Sequence, residues 1–129
     1  MAYAGIVLTQ NRKILLQLRD NKSGVLNPGT WGTFGGGIED GETPVEAIIR
    51  EVKEELDINL VAKSLNIISK GTSLKGRAFF IFKARFPTGQ KITLREGQEA
   101  RWFSIDEALK LSNVVPHMKD LFILLRDTF

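Results

Sequence analysis

The sequence contains no cysteine and only one histidine, His117. Disulfide bonds and thiolate metal sites are therefore excluded. The lack of cysteine fits a reducing cytosol, and we expect a cytoplasmic protein. His117 stands at the start of the last predicted helix with no evident partner, so we interpret it as a surface or capping residue and not as a catalyst.

Long apolar stretches are also missing. The longest runs, such as Leu121 to Leu125, are far too short to cross a bilayer. The first residues lack the basic, apolar and small-residue order of a signal peptide. The chain has 129 residues, of which 43% are hydrophobic and 26% charged, and this predicts one domain over residues 1–129. We expect no membrane partner, and either a monomer or a homodimer fits the sequence.

The charged residues are unevenly distributed. The net charge is +3, but the lysines and arginines are scattered, so we expect no nucleic-acid polymer as a partner. The acids are clustered, because eight of the 15 lie between Glu39 and Asp57, where only Arg50 and Lys53 oppose them. Such a cluster suits a divalent cation. A solvated acidic face is the alternative, and clustering alone favours it.

Strand and helix patterns alternate along the chain. They predict strands over Ala4–Thr9, Lys13–Arg19, 59–70, 76–86 and Ala100–Ser104, a long loop over 20–37, and helices after it, at Asp106–Leu111 and at about Pro116–Arg126. This order predicts an α/β protein with a mixed sheet and helices on both faces. Phe80, Phe82 and Phe86 share one face of a strand, which favours core packing over a base-stacking platform.

The helix after the long loop has a clear start. Thr43 is suited to the N-cap, Pro44 to the first helical position, and Glu46 completes a capping box. Its apolar residues fall within one ~100° arc that must pack on the sheet; they are Val45, Ile48, Ile49, Val52 and Leu56.

Three glutamates of the same helix fall in an adjoining arc. Glu51, Glu54 and Glu55 are spaced i, i+3 and i+4, so their charges repel each other and weaken the bare helix. A hard divalent cation such as Mg²⁺ turns that repulsion into a binding site. Arg50 lies one turn from both Glu46 and Glu54 and can orient a carboxylate. The preceding glycines, 35–37, allow close approach of the backbone to a metal or phosphate.

These residues resemble the Nudix box, G-x5-E-x7-R-E-U-x-E-E-x-G-U, where U is aliphatic. Gly36, five residues, Glu42 and seven residues lead to Arg50-Glu51-Val52-Lys53-Glu54-Glu55-Leu56-Asp57-Ile58, so the box spans 36–58. Every fixed position matches except the last glycine, which is Asp57. Asp tolerates the left-handed turn that this glycine usually makes.

The similarity continues outside the box. Trp31-Gly32-Thr33-Phe34-Gly35-Gly36 resembles the family's W-G-x-P-G-G, with Phe34 in place of proline. The segment Glu99–Ser104 and the following Asp106–Leu109 resemble the family's late strand and short helix. The resemblance implies an α/β/α sandwich with a mixed central sheet.

The resemblance also implies a metal site. Glu51, Glu54 and Glu55 are the implied ligands of Mg²⁺ or Mn²⁺, and the Gly35 carbonyl is a further candidate ligand. Either Glu51 or Glu54 is the candidate general base, and Arg50 orients the carboxylates.

Other roles follow from the same resemblance. Glu42 is expected to support the loop, and the late glutamate of some members corresponds to Glu96 or Glu99. Arg19 is a candidate for holding a substrate phosphate, and a surface role is the alternative. Asn113 resembles a purine-reading asparagine, although a turn or capping role explains it as well.

The box predicts that the substrate contains a diphosphate, but it does not predict which chemical group is attached to that diphosphate. Subgroup marks of ADP-ribose, dinucleoside polyphosphate, NADH and coenzyme A hydrolases are missing from the sequence. The short MutT-like form implies a (d)NTP, oxidised forms included, cleaved to a nucleoside monophosphate and pyrophosphate. The alternatives are a nucleotide sugar or related substrate, and a Nudix-like nucleotide-binding domain without turnover.

Overall fold

The computed structural model describes residues 1–22, 24, 27–115 and 117–128. Within these residues the chain forms β1 (Tyr3–Gln10), β2 (Lys13–Leu18), β3 (Trp31–Gly32), β4 (Phe34–Gly37), α1 (Pro44–Leu56), a 3-10 turn (Ala62–Ser64), β5 (Asn66–Thr72), β6 (Ala78–Arg85), β7 (Glu99–Ser104), α2 (Ile105–Leu109) and α3 (Met118–Thr128). Every helix in this part of the chain is too short or too polar to cross a bilayer.

The strands form one mixed sheet in the order β3-β2-β1-β6-β5. Strand β1 runs parallel to β6, and the other pairs are antiparallel, including β4 on β1 and β7 on β2. The two short strands β3 and β4 follow each other in the chain and pair with β2 and β1, respectively. The predicted mixed sheet is confirmed.

A hydrophobic core lies on each face of the sheet. Ala4, Ile6 and Leu8 of β1 pack on the α1 side with Ile48, Val52 and Leu56 of the helix. Val7 of β1 points to the opposite face, where α2 and α3 pack. Strand β1 is therefore buried on both faces, which explains its continuous run of apolar residues. The structure is therefore the expected α/β/α sandwich.

The aromatic residues of β6 belong to the first of these cores. Phe82 and Phe86 are buried and Phe80 is partly buried against them, as predicted for core packing. His117 is exposed immediately before α3, which agrees with its interpretation as a surface residue.

The predicted loop over 20–37 is wrong at its end. Residues 31–37 form β3 and β4, although glycine-rich segments have low strand propensity. Pairing with β1 decides the conformation, since Gly35 lies opposite Gly5 and Phe34 opposite Ile6. Ser23, Val25 and Leu26 of this loop, and Pro116 of the last predicted helix, lie outside the described residues.

Helix α1 is capped as predicted. Thr43 Oγ1 accepts from the Glu46 amide at 3.1 Å, and Glu46 Oε1 accepts from the Thr43 amide at 2.8 Å. The helix ends at Asp57, which has the left-handed φ of 57° and donates its amide to the Lys53 carbonyl. Lys53 Nζ donates to Asp57 Oδ1 at 2.7 Å. Asp57 therefore adopts the left-handed conformation that the glycine of the family pattern usually adopts at this position.

The left-handed cap predicts different stabilities for two substitutions of Asp57. Asp57→Ala should lower the free energy of unfolding by about 1–2 kcal/mol, because alanine has no side-chain polar group to offset the strain. Asp57→Asn should lower it by only about 0.5 kcal/mol, since asparagine tolerates this conformation and loses only the exposed ion pairs with Lys53 and Arg95. Urea denaturation measures both, and equal stabilities of the two variants would contradict the strain argument.

Candidate functional site

The glycines of β4 let α1 approach the sheet closely. The Gly35 amide donates to Glu55 Oε1 at 2.9 Å. Gly35 has a φ of 142°, and a Cβ there would strike the Ala4 carbonyl. A Cβ on Gly36 would lie 2.5 Å from Glu51 Oε1. Two glutamates of α1 can therefore lie against the strand only because these positions lack side chains.

Glu55 is the most buried of the predicted ligands. Its exposed fraction is 2%. Burial first, and then the charges of Glu51 and Glu96, raise its pKa to about 8 against the lowering effect of the Gly35 amide. The ionised form is therefore disfavoured in the protein alone, and a nearby cation would favour it.

Glu51 and Glu54 lie in more polar surroundings. The Glu51 side chain is 14% exposed and accepts from Arg50 Nη1 at 3.0 Å. Burial raises its pKa, and the charges of Glu54 and Glu96 act in the same direction. The Glu54 side chain is 51% exposed and lies 3.4 Å from Arg50 Nη1. The helix thus brings the three glutamates to one side and places each in a different environment.

Arg50 connects the carboxylates with the loop before the helix. Its Nε and Nη2 donate to the two oxygens of Glu42 at 2.8 and 3.0 Å, and Nη2 also donates to the Gly37 carbonyl at 3.0 Å. These contacts raise the pKa of Arg50, chiefly through the hydrogen bond with Glu42. The Glu39 amide donates to Glu42 as well, at 2.8 Å. Glu42 therefore lies in the loop as a partner of Arg50.

Of the two partners that helical spacing offers to Arg50, Glu54 is the one that it contacts. The Glu46 carboxylate is engaged in the capping box at the Thr43 amide. Glu42, eight residues before Arg50 in the chain, takes the bidentate contact instead. Helical spacing alone does not reveal this pair, because Glu42 precedes the helix.

A cleft of about 490 Å³ opens beside Glu55. It is lined by Gln17, Arg19, Asp20, Lys22, Gly35, Glu55, Arg95, Glu96 and Gly97. The structure thus brings the predicted residues Arg19, Gly35, Glu55 and Glu96 together. The charge of Arg19 lowers the pKa of Glu55, which opposes the effect of burial.

Sequence reasoning missed Gln17, Lys22 and Arg95 in this cleft. Gln17 is buried and donates through Nε2 to the Glu96 carbonyl at 3.3 Å. A polar residue in an otherwise apolar strand, two positions before Arg19, was the available signal. Arg95 has no such signal, because it follows no periodic pattern.

Of the candidates for substrate binding, Glu99 and Asn113 are not among the residues that line the cleft. The Glu99 carboxylate pairs with Arg101 at 2.7 Å. Asn113 Nδ2 donates to the Gly29 carbonyl at 3.2 Å, and the Asn113 carbonyl accepts from the Trp31 amide at 2.8 Å. The structure therefore uses Asn113 to join the segment before α3 to the segment before β3.

The carboxylate oxygens of this site suit a hard cation, but in this structure they are not arranged around a single point. Among the described residues, no group of three or more acids and histidines is close enough to hold a metal ion as it stands. However, the charges of Glu54 and Glu96 help to raise the pKa of Glu51, and the charges of Glu51 and Glu96 help to raise the pKa of Glu55. Oxygen ligands of this kind and number fit Mg²⁺ or Mn²⁺, and a cation would relieve their repulsion.

Comparison with known proteins identifies the family. The sequence profile of the NUDIX domain matches residues 1–125. The chain therefore belongs to the Nudix family.

Individual relatives agree with this assignment. The chain is 35% identical over 78 residues to dihydroneopterin triphosphate diphosphatase of Escherichia coli K12, which is 60% of this chain and 48% of that protein. It is 30% identical over 108 residues to a MutT-like protein of Streptomyces ambofaciens, 83% of this chain and 65% of that one. The chain thus spans about half the length of the first relative.

A solved structure supports the fold. The MutT protein of Methanosarcina mazei Go1 superimposes with a TM-score of 0.79 at 21% identity, covering 99% of this chain and 94% of that one. This likeness establishes the same α/β/α architecture.

The contact between β4 and α1 predicts a test on the glycines. Gly36→Ala should displace the Glu51 carboxylate from Arg50 and lower the free energy of unfolding by about 1–3 kcal/mol, the usual cost of overpacking. Gly37→Ala is the matched control, because its Cβ meets only the flexible end of Met1 and should cost less than about 0.5 kcal/mol. Crystal structures and urea denaturation measure both effects. A Glu51 carboxylate unmoved in Gly36→Ala would contradict the packing argument.

Proposed function

We propose that this protein is a Mg²⁺- or Mn²⁺-dependent hydrolase of nucleoside-diphosphate-linked substrates and that its substrate is a (d)NTP, oxidised forms included. The observation that carries the proposal is the position of the α1 glutamates. Glu51 and Glu55 lie against the glycine strand β4. Glu55 also lines the cleft, together with the basic residues Arg19, Lys22 and Arg95. Acidic groups for a metal and basic groups for phosphates thus share one site.

In this proposal Glu51, Glu54 and Glu55 hold the metal, with the Gly35 carbonyl as an additional ligand. When bound, the cation neutralises charge on the phosphate oxygens. Arg50 fixes the Glu51 carboxylate through the 3.0 Å contact and so orients it for this purpose.

The proton of the attacking water passes to a carboxylate. Of the two candidate bases, Glu54 is the less restrained, since its side chain is half exposed and lies 3.4 Å from Arg50. We therefore assign this role to Glu54. Attack of water on the α-phosphorus forms a new P–O bond and breaks the bond to the bridging oxygen. The products are a nucleoside monophosphate and pyrophosphate.

Two observations support a triphosphate. Arg19, Lys22 and Arg95 supply three positive charges to the cleft, which suits a highly charged phosphate chain. The Escherichia coli relative is named for a triphosphate substrate. Asn113, the candidate base-reading residue, donates one N–H to the Gly29 carbonyl, and an Asn amide has a second N–H and an acceptor oxygen that can read a base edge.

A substrate panel tests the proposal. Purified protein is incubated with Mg²⁺ or Mn²⁺ and with (d)NTPs, oxidised (d)NTPs and nucleotide sugars, while pyrophosphate and phosphate are detected separately. Pyrophosphate release from a nucleoside triphosphate is expected. Turnover of nucleotide sugars alone would favour that alternative, and binding of nucleotides without turnover would favour a binding domain and contradict the enzyme proposal.

Glu54→Gln tests whether Glu54 belongs to the site. We expect kcat to fall by at least about 100-fold, because the amide can neither accept the proton nor supply an anionic ligand to the metal. The free energy of unfolding should change by less than about 0.5 kcal/mol, since the side chain is half exposed. Steady-state kinetics and urea denaturation give the two values. An unchanged kcat would remove Glu54 from the site.

Glu96→Gln and Glu99→Gln form a matched pair for the late glutamate. Glu96 lines the cleft and its charge acts on Glu51 and Glu55, whereas Glu99 pairs with Arg101. Glu96→Gln should lower kcat/KM by about 10- to 100-fold, the usual effect of losing a supporting carboxylate at a metal site. Glu99→Gln should stay within about twofold of wild type. The reverse order of effects would assign the role to Glu99.

A further inference from the structure

Asp57 makes a contact that the glycine of the family pattern cannot make. Its Oδ2 lies 3.4 Å from Nη2 of Arg95, while Oδ1 accepts from Lys53. Asp57 ends α1 immediately beyond the carboxylates, so its side chain links the end of this helix to a residue 38 positions later in the chain.

The backbone around Arg95 is fixed to the same end of α1. The Arg95 amide donates to the Glu55 carbonyl at 2.8 Å, and the Thr93 amide donates to the Leu56 carbonyl at 2.9 Å. These bonds satisfy carbonyls of the last helical turn, which have no partner within the helix. The Arg95 backbone is thus held beside Glu55, and only its side chain remains to be oriented.

The Arg95 side chain lines the cleft with Glu55, Glu96, Arg19 and Lys22. A guanidinium has five N–H groups, so a single contact with Asp57 leaves donors for a second anion. Its planar fork matches two oxygens of one phosphate. The side chain is half exposed, which leaves it accessible to a ligand in the cleft.

We propose that Arg95 binds a substrate phosphate and that Asp57 is the positioning residue that turns its guanidinium toward the cleft. This inference rests on the proposed function and extends it to substrate class. A nucleoside triphosphate carries a terminal phosphate that a nucleotide sugar lacks, so a third cation beside Arg19 and Lys22 favours the triphosphate. A purely structural role for the Asp57–Arg95 pair is the competing explanation.

The test is a double-mutant cycle with Arg95→Gln, Asp57→Asn and the combination of the two. Asp57→Asn keeps a residue that tolerates the left-handed cap while removing the charge. Arg126→Gln is the matched control, because Arg126 is 53% exposed against 50% for Arg95, pairs with Asp127, and lies on α3 across the sheet. Calorimetric titration with inorganic tripolyphosphate in Mg²⁺ measures binding without requiring the base to be known.

We expect Arg95→Gln to weaken tripolyphosphate binding about tenfold, the loss of one charge-assisted hydrogen bond. Asp57→Asn should weaken it about threefold, and the double variant should match Arg95→Gln because Asp57 acts only through Arg95. Arg126→Gln should remain within about twofold of wild type. For the nucleoside triphosphate that is turned over, Arg95→Gln should raise KM about tenfold with kcat within about threefold.

Other outcomes overturn the inference in distinguishable ways. Wild-type binding by Arg95→Gln would remove Arg95 from the phosphate site, with the proposed function intact. Positioning by Asp57 would be refuted if Arg95→Gln weakened tripolyphosphate binding and Asp57→Asn did not. It would also be refuted if the effects of the two substitutions on binding were additive in the double variant. A wild-type protein that neither binds tripolyphosphate nor hydrolyses any nucleotide would refute the proposed function as well.

Discussion

The contacts of the Arg50 guanidinium hold the candidate site together. One planar group joins Glu42 in the loop before α1, the Gly37 carbonyl at the end of β4, and Glu51 on the helix itself. Only arginine has enough donors in fixed directions to make these contacts at once. The loop, the glycine strand and the carboxylates are therefore fixed relative to each other by one side chain, which is itself fixed by the capped helix.

The remaining geometry follows from close packing at the glycines. Because Gly35 and Gly36 present no side chains, Glu55 reaches the Gly35 amide and Glu51 lies over Gly36. This packing buries negative charge, and the raised pKa of Glu55 is the electrostatic consequence. A protein gains nothing in stability from such an arrangement. A cation bound there would offset the repulsion, so the unfavourable electrostatics of the bare protein are consistent with a metal site.

Local features of this fold were predictable from sequence, and contacts distant in sequence were not. The capping box of Thr43 and Glu46 located the start of α1, and the spacing of its glutamates placed them on one side. The strands β3 and β4 were missed because their conformation depends on pairing with distant strands, not on the propensity of residues such as Gly35. The helical spacing also does not predict how deeply each glutamate is buried. The contrast between buried Glu55 and half-exposed Glu54 is therefore seen only in the folded protein.

The central claim is that the α1 glutamates bind a divalent cation for diphosphate hydrolysis. The most direct measurement is an anomalous difference map from a crystal soaked in Mn²⁺. We predict a strong peak within coordination distance of Glu51, Glu54 and Glu55, at about 2.0–2.2 Å from their oxygens. A map with no peak at these residues at saturating Mn²⁺, or with its strongest peak elsewhere, would contradict the account.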